Sequence, residues 1–204
     1  MEASEKVHFV RSLHSNPLHT ELRVARQLKS MSFARGRLPP SLADKDGGKM
    51  ILEARSPSCF SNHYVLKFNG QAHGEYRGRW FSEGIDIRLS GRRRLHLHKE
   101  SWLASHFNLA DANGNVLAEA NRSGLLTSSW NLALSTGAAQ LVSAGFFNTG
   151  FNVVQSGQTT ATANRVGMCE GGWFVEDQGA FTDTDLLLIG LIYHTILERR
   201  RSSD

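Results

Sequence analysis

Seven basic side chains within one short stretch are the residues of this sequence best suited to chemistry. Guanidinium groups match the two oxygens of a phosphate in a bidentate fork, and adjacent strands and turns could present them together. The stretch therefore predicts a site for the phosphates of anionic lipid head groups. A solvated surface neutralised by Glu75, Glu83, Asp86 and Glu100 is the alternative interpretation. The candidate residues are Arg77, Arg79, Arg88, Arg92, Arg93, Arg94 and Lys99.

Two other patterns have the spacing of metal ligands but lack the remaining ligands. His96 and His98 are expected on one side of one strand, yet no carboxylate or third histidine completes the set. Asp111 opens a stretch resembling a calcium loop, but Val116 stands where that loop requires glycine and Arg122 where it requires glutamate. We therefore predict no metal site at either position.

Catalytic signatures are absent from the sequence. No Gly-x-Ser-x-Gly elbow occurs, and no glycine-rich phosphate loop precedes a helix. Cys59 and Cys169 lie far apart without Cys-x-x-Cys spacing, which argues against a zinc site or a disulfide framework. The prediction is a protein that is not an enzyme and needs no cofactor.

The net charge of +4 over 204 residues is unevenly distributed. Residues 1–49 contain nine Lys/Arg against five Asp/Glu, and residues 50–204 contain fourteen of each. The polar composition of residues 1–49 predicts a flexible basic leader, and residues 50–204 are expected to form the folded domain. The leader lacks the apolar core of a secretory signal. The expected location is the cytoplasm, with peripheral association at membranes as the alternative.

Short segments with a period of two follow the leader, separated by turn residues. This pattern predicts about twelve antiparallel strands. Asn69-Gly70 and Asn113-Gly114 are expected to supply the positive backbone angles of tight turns. The predicted strands are Met50–Ala54, Tyr64–Phe68, Gly74–Trp80, Ile85–Leu89, Leu95–Lys99, His106–Ala110, Val116–Ala120, Trp130–Leu134, Ala139–Ala144, Phe151–Gln155, Thr159–Arg165 and Gly172–Glu176.

A C-terminal run from Asp185 to Leu197 is apolar on every face, whereas a surface helix would have a polar side. As a helix, residues 186–197 would extend about 18 Å, well short of the roughly 30 Å core of a bilayer. The run therefore predicts a helix buried in protein, with Thr182 or Asp183 as its N-cap. A closed barrel needs a filler for its lumen, so the predicted fold is a mostly β, closed antiparallel barrel around this helix. Gly190 indicates that the barrel wall passes close to the helix.

The segment from Phe107 to Glu119 and the terminal helix Asp183–Leu197 resemble the tubby-like C-terminal superfamily. That superfamily includes tubby proteins, plant LURP-one-related proteins and phospholipid scramblases, and the resemblance extends over roughly residues 50–200. It implies a twelve-stranded barrel around a central helix. It also implies phosphoinositide binding, lipid-linked activity or a role in defence. Scramblases place a calcium-associated acidic segment where residues 176–185 lie here, although helix capping explains these acids equally well.

The functional prediction is a non-enzymatic barrel that binds anionic phospholipid head groups or membrane surfaces through the basic stretch Arg77–Lys99. A protein-interaction or structural module without a lipid ligand is the alternative. Nucleic-acid binding through the basic leader is the least favoured class.

Overall fold

The computed structural model describes residues 48–58, 61–78, 84–99, 106–124, 129–145, 150–167 and 172–201. Arg79, Cys59 and Cys169 fall outside these ranges, as do residues 1–47. The separation of a basic leader from a barrel domain therefore stays a prediction.

Twelve strands and one long helix make up the regular structure of the described residues. A short 3-10 turn, Ser90–Arg92, connects the fourth and fifth strands. The helix, α1, extends over Asp183–Arg201. The strands are β1 Met50–Arg55, β2 His63–Phe68, β3 Gln71–Arg77, β4 Gly84–Leu89, β5 Arg94–Lys99, β6 His106–Asp111, β7 Val116–Arg122, β8 Trp130–Leu134, β9 Gly137–Ser143, β10 Phe151–Gln155, β11 Gln158–Arg165 and β12 Gly172–Asp177.

The strands form a closed antiparallel barrel. Each strand pairs with its neighbours in sequence, and β1 closes the ring by pairing with β12. The closing pair sets Met50 opposite Asp177 and Leu52 opposite Val175. Closure pairs the strand edges that an open sheet would expose. The predicted twelve-stranded barrel is confirmed.

Alternation along each strand decides which side chains face the lumen. In β8, Trp130, Leu132 and Leu134 are buried, while Asn131 and Ala133 between them are exposed. The same period in β4 turns Ile85, Ile87 and Leu89 inward and leaves Arg88 exposed on the outer face.

Turn geometry moves one strand from its predicted position. Asn69 and Gly70 both have positive φ, 48° and 80°, so they form a two-residue turn that sets Phe68 opposite Gln71. Strand β3 therefore begins at Gln71 instead of the predicted Gly74 and ends at Arg77. The connection around Asn113-Gly114 is residues 112–115, one residue shorter than the predicted strands leave, and of its two turn residues Gly114 alone has a positive φ. There Gly114 has a φ of 83° and its N–H donates to the Asp111 carbonyl at 3.0 Å.

Helix α1 fills the lumen. Its residues from Asp185 to Tyr193 are all buried, and Leu186, Leu188 and Ile192 have no exposed surface. This confirms the predicted buried helix. Gly190 faces the indole of Trp173 on β12, and a Cβ at this position would collide with the ring. No helix in the described part of the chain has the length and hydropathy that crossing a membrane requires.

Capping interactions hold the start of α1. The Thr182 hydroxyl accepts from the Asp185 N–H, and the Asp185 carboxylate accepts from the Thr182 N–H, both at 3.3 Å. Thr182 is thus the N-cap in a reciprocal box. Asp185 also accepts from the N–H and hydroxyl of Ser135, each at 2.8 Å, which ties the helix to the β8–β9 turn.

The two ends of the barrel differ. One end, called the hairpin end, has five connections of two to four residues, and α1 begins there. The opposite end is called the C-terminal mouth. The odd-numbered strands finish at the mouth, and α1 reaches it with its last turns, since Arg199 and Arg200 contact rings at the start of β6 and β10.

Candidate functional site

The β4–β5 turn at the hairpin end holds four of the seven predicted site residues, Arg88, Arg92, Arg93 and Arg94. The Leu89 N–H donates to the Arg93 carbonyl at 2.8 Å and closes the turn. Gly91 and Arg92 have φ of 73° and 65°, the left-handed region that glycine tolerates and arginine adopts rarely. The Arg92 side chain is exposed at the rim of the barrel.

Arg93 connects this turn to the start of α1. Its Nη2 donates to the Thr184 hydroxyl at 2.8 Å, and its Nη1 lies 3.5 Å from Asp183 Oδ2. His73 Nε2 is 3.6 Å from the same carboxylate oxygen. The neighbouring imidazole, followed by Arg93, lowers the pKa of Asp183 against the partial burial that raises it. Arg93 therefore has a structural role, which leaves Arg88, Arg92 and Arg94 to present charge.

Arg88 and Arg94 face each other across the β4–β5 ladder on the outer surface. Like charges placed opposite on a ladder repel, so this pair concentrates positive potential. Glu75 on β3 lies opposite Arg88 on its other side, with 3.9 Å between Nη1 and Oε1. Within the part of the chain that the structure describes, neither Arg92 nor Arg94 forms an ion pair.

The remaining predicted site residues lie elsewhere. Arg77 ends β3 and Lys99 ends β5, so both are at the C-terminal mouth, the barrel's length away from the β4–β5 turn. Arg77 is exposed on the outer face, whereas Lys99 is half-buried. Arg79 is outside the described residues. The basic stretch therefore divides between the two ends and does not form one surface.

His96 and His98 lie on one side of β5, as predicted, with ring centroids 6.3 Å apart. His96 Nδ1 is 2.8 Å from Asp86 Oδ1. Among the described residues no group of three or more His, Cys, Asp or Glu is placed to hold a metal ion. Asp111 uses its carboxylate locally, accepting from the N–H groups of Asn113 and Asn115 at 2.8 and 2.9 Å. Buried Asp177 accepts from the N–H groups of Ala180 and Phe181, both at 3.1 Å.

The barrel interior contains a polar chain that belongs to the core. Trp173 Nε1 donates to Tyr76 Oη at 2.9 Å, and this hydroxyl is 2.9 Å from His194 Nδ1. Burial raises the pKa of Tyr76, so the phenol stays neutral. His194 is 3% exposed and is a hydrogen-bonded core residue. This chain links β3, β12 and α1, and all three of its side chains are buried.

Sequence reasoning does not predict where the C-terminal end of α1 lies in the barrel. Arg199 Cζ lies 6.0 Å from the centroid of Phe107, and Arg200 Cζ lies 5.5 Å from that of Phe151. Phe107 and Phe151 are the first inward-facing residues of β6 and β10, at the C-terminal mouth. In the sequence, the basic run 199–201 is explained as a complement to the helix dipole, and that explanation does not predict that the run lies at the C-terminal mouth.

Comparison with known proteins adds little to what the strand pairing shows about the fold. No protein-family model matches the chain, and no curated protein matches it. Among solved structures, the chain is similar to the X-ray structure of a protein from Arabidopsis thaliana. The similarity has 11% sequence identity and a TM-score of 0.49, and it covers 75% of this chain and 91% of that protein. The fold assignment rests on the strand order and the central helix.

Proposed function

We propose that this protein is a non-enzymatic, tubby-like barrel that binds anionic phospholipid head groups at a membrane surface. The binding residues are Arg88, Arg92 and Arg94, called the turn arginines. The observation that supports this proposal is the exposure of Arg92 and Arg94, which form no ion pair within the described part of the chain. Arg93 fixes the turn to α1 beneath them.

The expected binding free energy favours a reversible surface contact. Each basic residue close to an anionic membrane contributes on the order of 1 kcal/mol. Three together give about 3 kcal/mol, or roughly a hundredfold in affinity. Exposed charges are screened within a Debye length of about 8 Å at physiological salt, so binding should weaken as salt rises. The turn arginines alone would hold the domain on a membrane without anchoring it permanently.

The resemblance to the tubby-like superfamily supports the same proposal. The β6–β7 hairpin and the terminal helix that carry the resemblance are both present in the barrel. Lipid-linked roles are what this resemblance implies, and the outer arginines give them a physical basis in this chain.

Vesicle sedimentation tests the proposal. The wild-type protein is mixed with vesicles of phosphatidylcholine containing phosphatidylserine, and with vesicles of phosphatidylcholine alone, at low and at high salt. We expect binding to the anionic vesicles at low salt and release at high salt. The double variant R92E/R94E should lose at least about tenfold in affinity, because both charges reverse.

Arg77→Glu is the control, since Arg77 is also exposed but lies at the C-terminal mouth. Binding that survives R92E/R94E, or that is lost equally in Arg77→Glu, would exclude the turn arginines as the site. A wild-type protein that never binds anionic vesicles would favour the protein-interaction module.

A further inference from the structure

Two Asn-Gly pairs lie in turns at the hairpin end of the barrel. Asn69-Gly70 connects β2 to β3, and Asn113-Gly114 lies between β6 and β7. In an Asn-Gly pair the glycine has no side chain to hinder attack of its backbone nitrogen on the asparagine side-chain amide. This attack is the first step of deamidation, which converts an uncharged amide into a carboxylate. Both pairs have the same intrinsic reactivity, so the surroundings of each turn decide which of them reacts.

Asn69 is held in place by β1. Its Oδ1 accepts from the Ile51 N–H at 2.8 Å, and its own N–H donates to the Ile51 carbonyl, also at 2.8 Å. To be attacked by the Gly70 nitrogen, the side-chain amide must rotate away from β1. That movement leaves the Ile51 N–H without its acceptor, which opposes the reaction. We therefore expect Asn69 to be protected in the folded protein.

The Asn113 side chain is exposed and is not held in this way. Within the ranges that the structure describes, its amide forms no hydrogen bond, whereas the Asn115 amide on the same turn donates to Asp111 Oδ2 at 2.8 Å. The space beside the Gly114 Cα is open. The Gly114 N–H donates to the Asp111 carbonyl at 3.0 Å, so this bond must open before the nitrogen can react. Exposed turns open locally at a low free energy, which makes this turn the reactive one.

We propose that Asn113 is a site of spontaneous deamidation that gives the β6–β7 turn a negative charge. The Gly114 nitrogen loses its proton to hydroxide and attacks Cγ of Asn113. The bond between Cγ and the side-chain nitrogen breaks, this nitrogen takes up a proton from water and leaves as ammonia, and a succinimide ring remains. Water opens the ring at either carbonyl and yields aspartate or isoaspartate. The sequence of steps consumes water and releases ammonia, with no oxidation or reduction.

A carboxylate at position 113 changes the charge of the surface that carries the turn arginines. The β6–β7 turn is next to the β4–β5 turn, because Leu95 on β5 pairs with Asp111 on β6. Hydrogen bonds from Asn115 are the main cause of the lowered pKa of Asp111, and the charge of Arg93 lowers it further. Two strand spacings, about 10 Å, separate the centres of the two turns, close to the Debye length of about 8 Å at physiological salt. This consequence rests on the proposed membrane function, whereas the reaction itself does not.

Peptide mapping of the full chain by mass spectrometry tests the site. The folded protein is incubated at neutral and at mildly alkaline pH, digested briefly with trypsin, and compared with freshly purified protein. Trypsin releases the two pairs on separate peptides, residues 68–77 and 100–122. We expect Asn113 to deamidate about tenfold faster than Asn69, the factor expected for one protecting hydrogen bond. In a guanidinium-unfolded sample both should react at similar rates, and both rates should rise with pH.

Two variants test the consequence for membrane binding. Asn113→Asp carries the new charge from the start. Asn113→Gln is the matched control, since it keeps an uncharged amide whose longer side chain disfavours the ring. On vesicles containing phosphatidylserine at low salt, Asn113→Asp should bind about fivefold more weakly than Asn113→Gln, the factor that one charge near an anionic membrane contributes.

Faster deamidation of Asn113 than of Asn69 in the folded protein supports the site, whether or not the protein binds vesicles. Equal rates, or a faster reaction at Asn69, overturn it. If the wild type binds anionic vesicles and the two variants bind them equally well, the effect of the modification on binding is excluded. A wild-type protein that binds no vesicles removes that effect together with the proposed function and leaves the deamidation result unaffected.

Discussion

Asp183 joins three parts of the hairpin end through one carboxylate. It accepts from the Thr184 N–H at 2.8 Å and lies beside His73 of β3 and Arg93 of the β4–β5 turn. Since these neighbours lower its pKa in the folded protein, the ionised carboxylate stabilises the fold. Loss of this one negative charge would weaken the contacts that hold both the start of α1 and the β4–β5 turn.

The pH dependence of this contribution has a definite sign. A carboxyl whose folded pKa is below its unfolded value of about 3.9 contributes stability above that value and loses it as pH falls through the folded pKa. We expect Asp183→Asn to be less stable than the wild type at neutral pH, with a difference that shrinks below about pH 4. Urea unfolding at several pH values measures it.

His73→Gln provides the control for this titration, because His73 is the largest cause of the shift. In that background Asp183→Asn should cost less, and its dependence on pH should be weaker. An Asp183→Asn effect that stays constant from neutral to strongly acidic pH would contradict this account.

Helix α1 fits closely against the barrel wall. Gly190 costs the helix up to about 1 kcal/mol of propensity relative to alanine. The Trp173 indole occupies the space that a Cβ would need, and its N–H bond to Tyr76 holds the ring in place. Glycine is thus required by packing against β12.

Gly190→Ala should therefore destabilise the protein despite its gain in helix propensity. Overpacking a core costs about 1–3 kcal/mol, more than the propensity gain. Urea unfolding followed by circular dichroism measures the change. Adding Trp173→Phe, which shortens the colliding ring, should make the pair less destabilised than the sum of the two single effects. A Gly190→Ala protein more stable than the wild type would show that the helix has room to shift.

Most of the fold is predictable from the sequence because its elements follow local rules. The strands are recognisable from their two-residue periodicity, and a helix that is apolar on every face is expected to be buried. Strand β3 is the exception, since its start depends on the Asn69-Gly70 turn angles and not on alternation.

The site is less predictable. Arg77 and Lys99 are near Arg88 and Arg92 in sequence, but strand direction carries them to the other end.

The helix and the ring of strands depend on each other. Leu188 has no exposed surface and sits within a lumen closed by β1 and β12. An unpaired carboxylate there costs several kcal/mol, a large part of the roughly 5–15 kcal/mol that stabilises a typical domain.

Leu188→Asp is therefore expected to abolish cooperative thermal unfolding. Ala133→Asp places the same charge on the exposed face of β8 and serves as its control. The control should unfold as one transition within about 0.5 kcal/mol of the wild type. A Leu188→Asp protein that retains a cooperative transition would show that the lumen admits water or that the helix can leave it.

The order of elements along the chain has a consequence for biosynthesis. The twelve described strands precede α1 in sequence, and among them β1 with β12 is the only pairing between strands distant in sequence. Hairpins between neighbouring strands can form while the chain is still on the ribosome, since they need only local contacts. Their apolar faces stay uncovered until the last element emerges, which makes the nascent sheet prone to association. We therefore expect chaperones to protect the growing chain until α1 can enter the barrel.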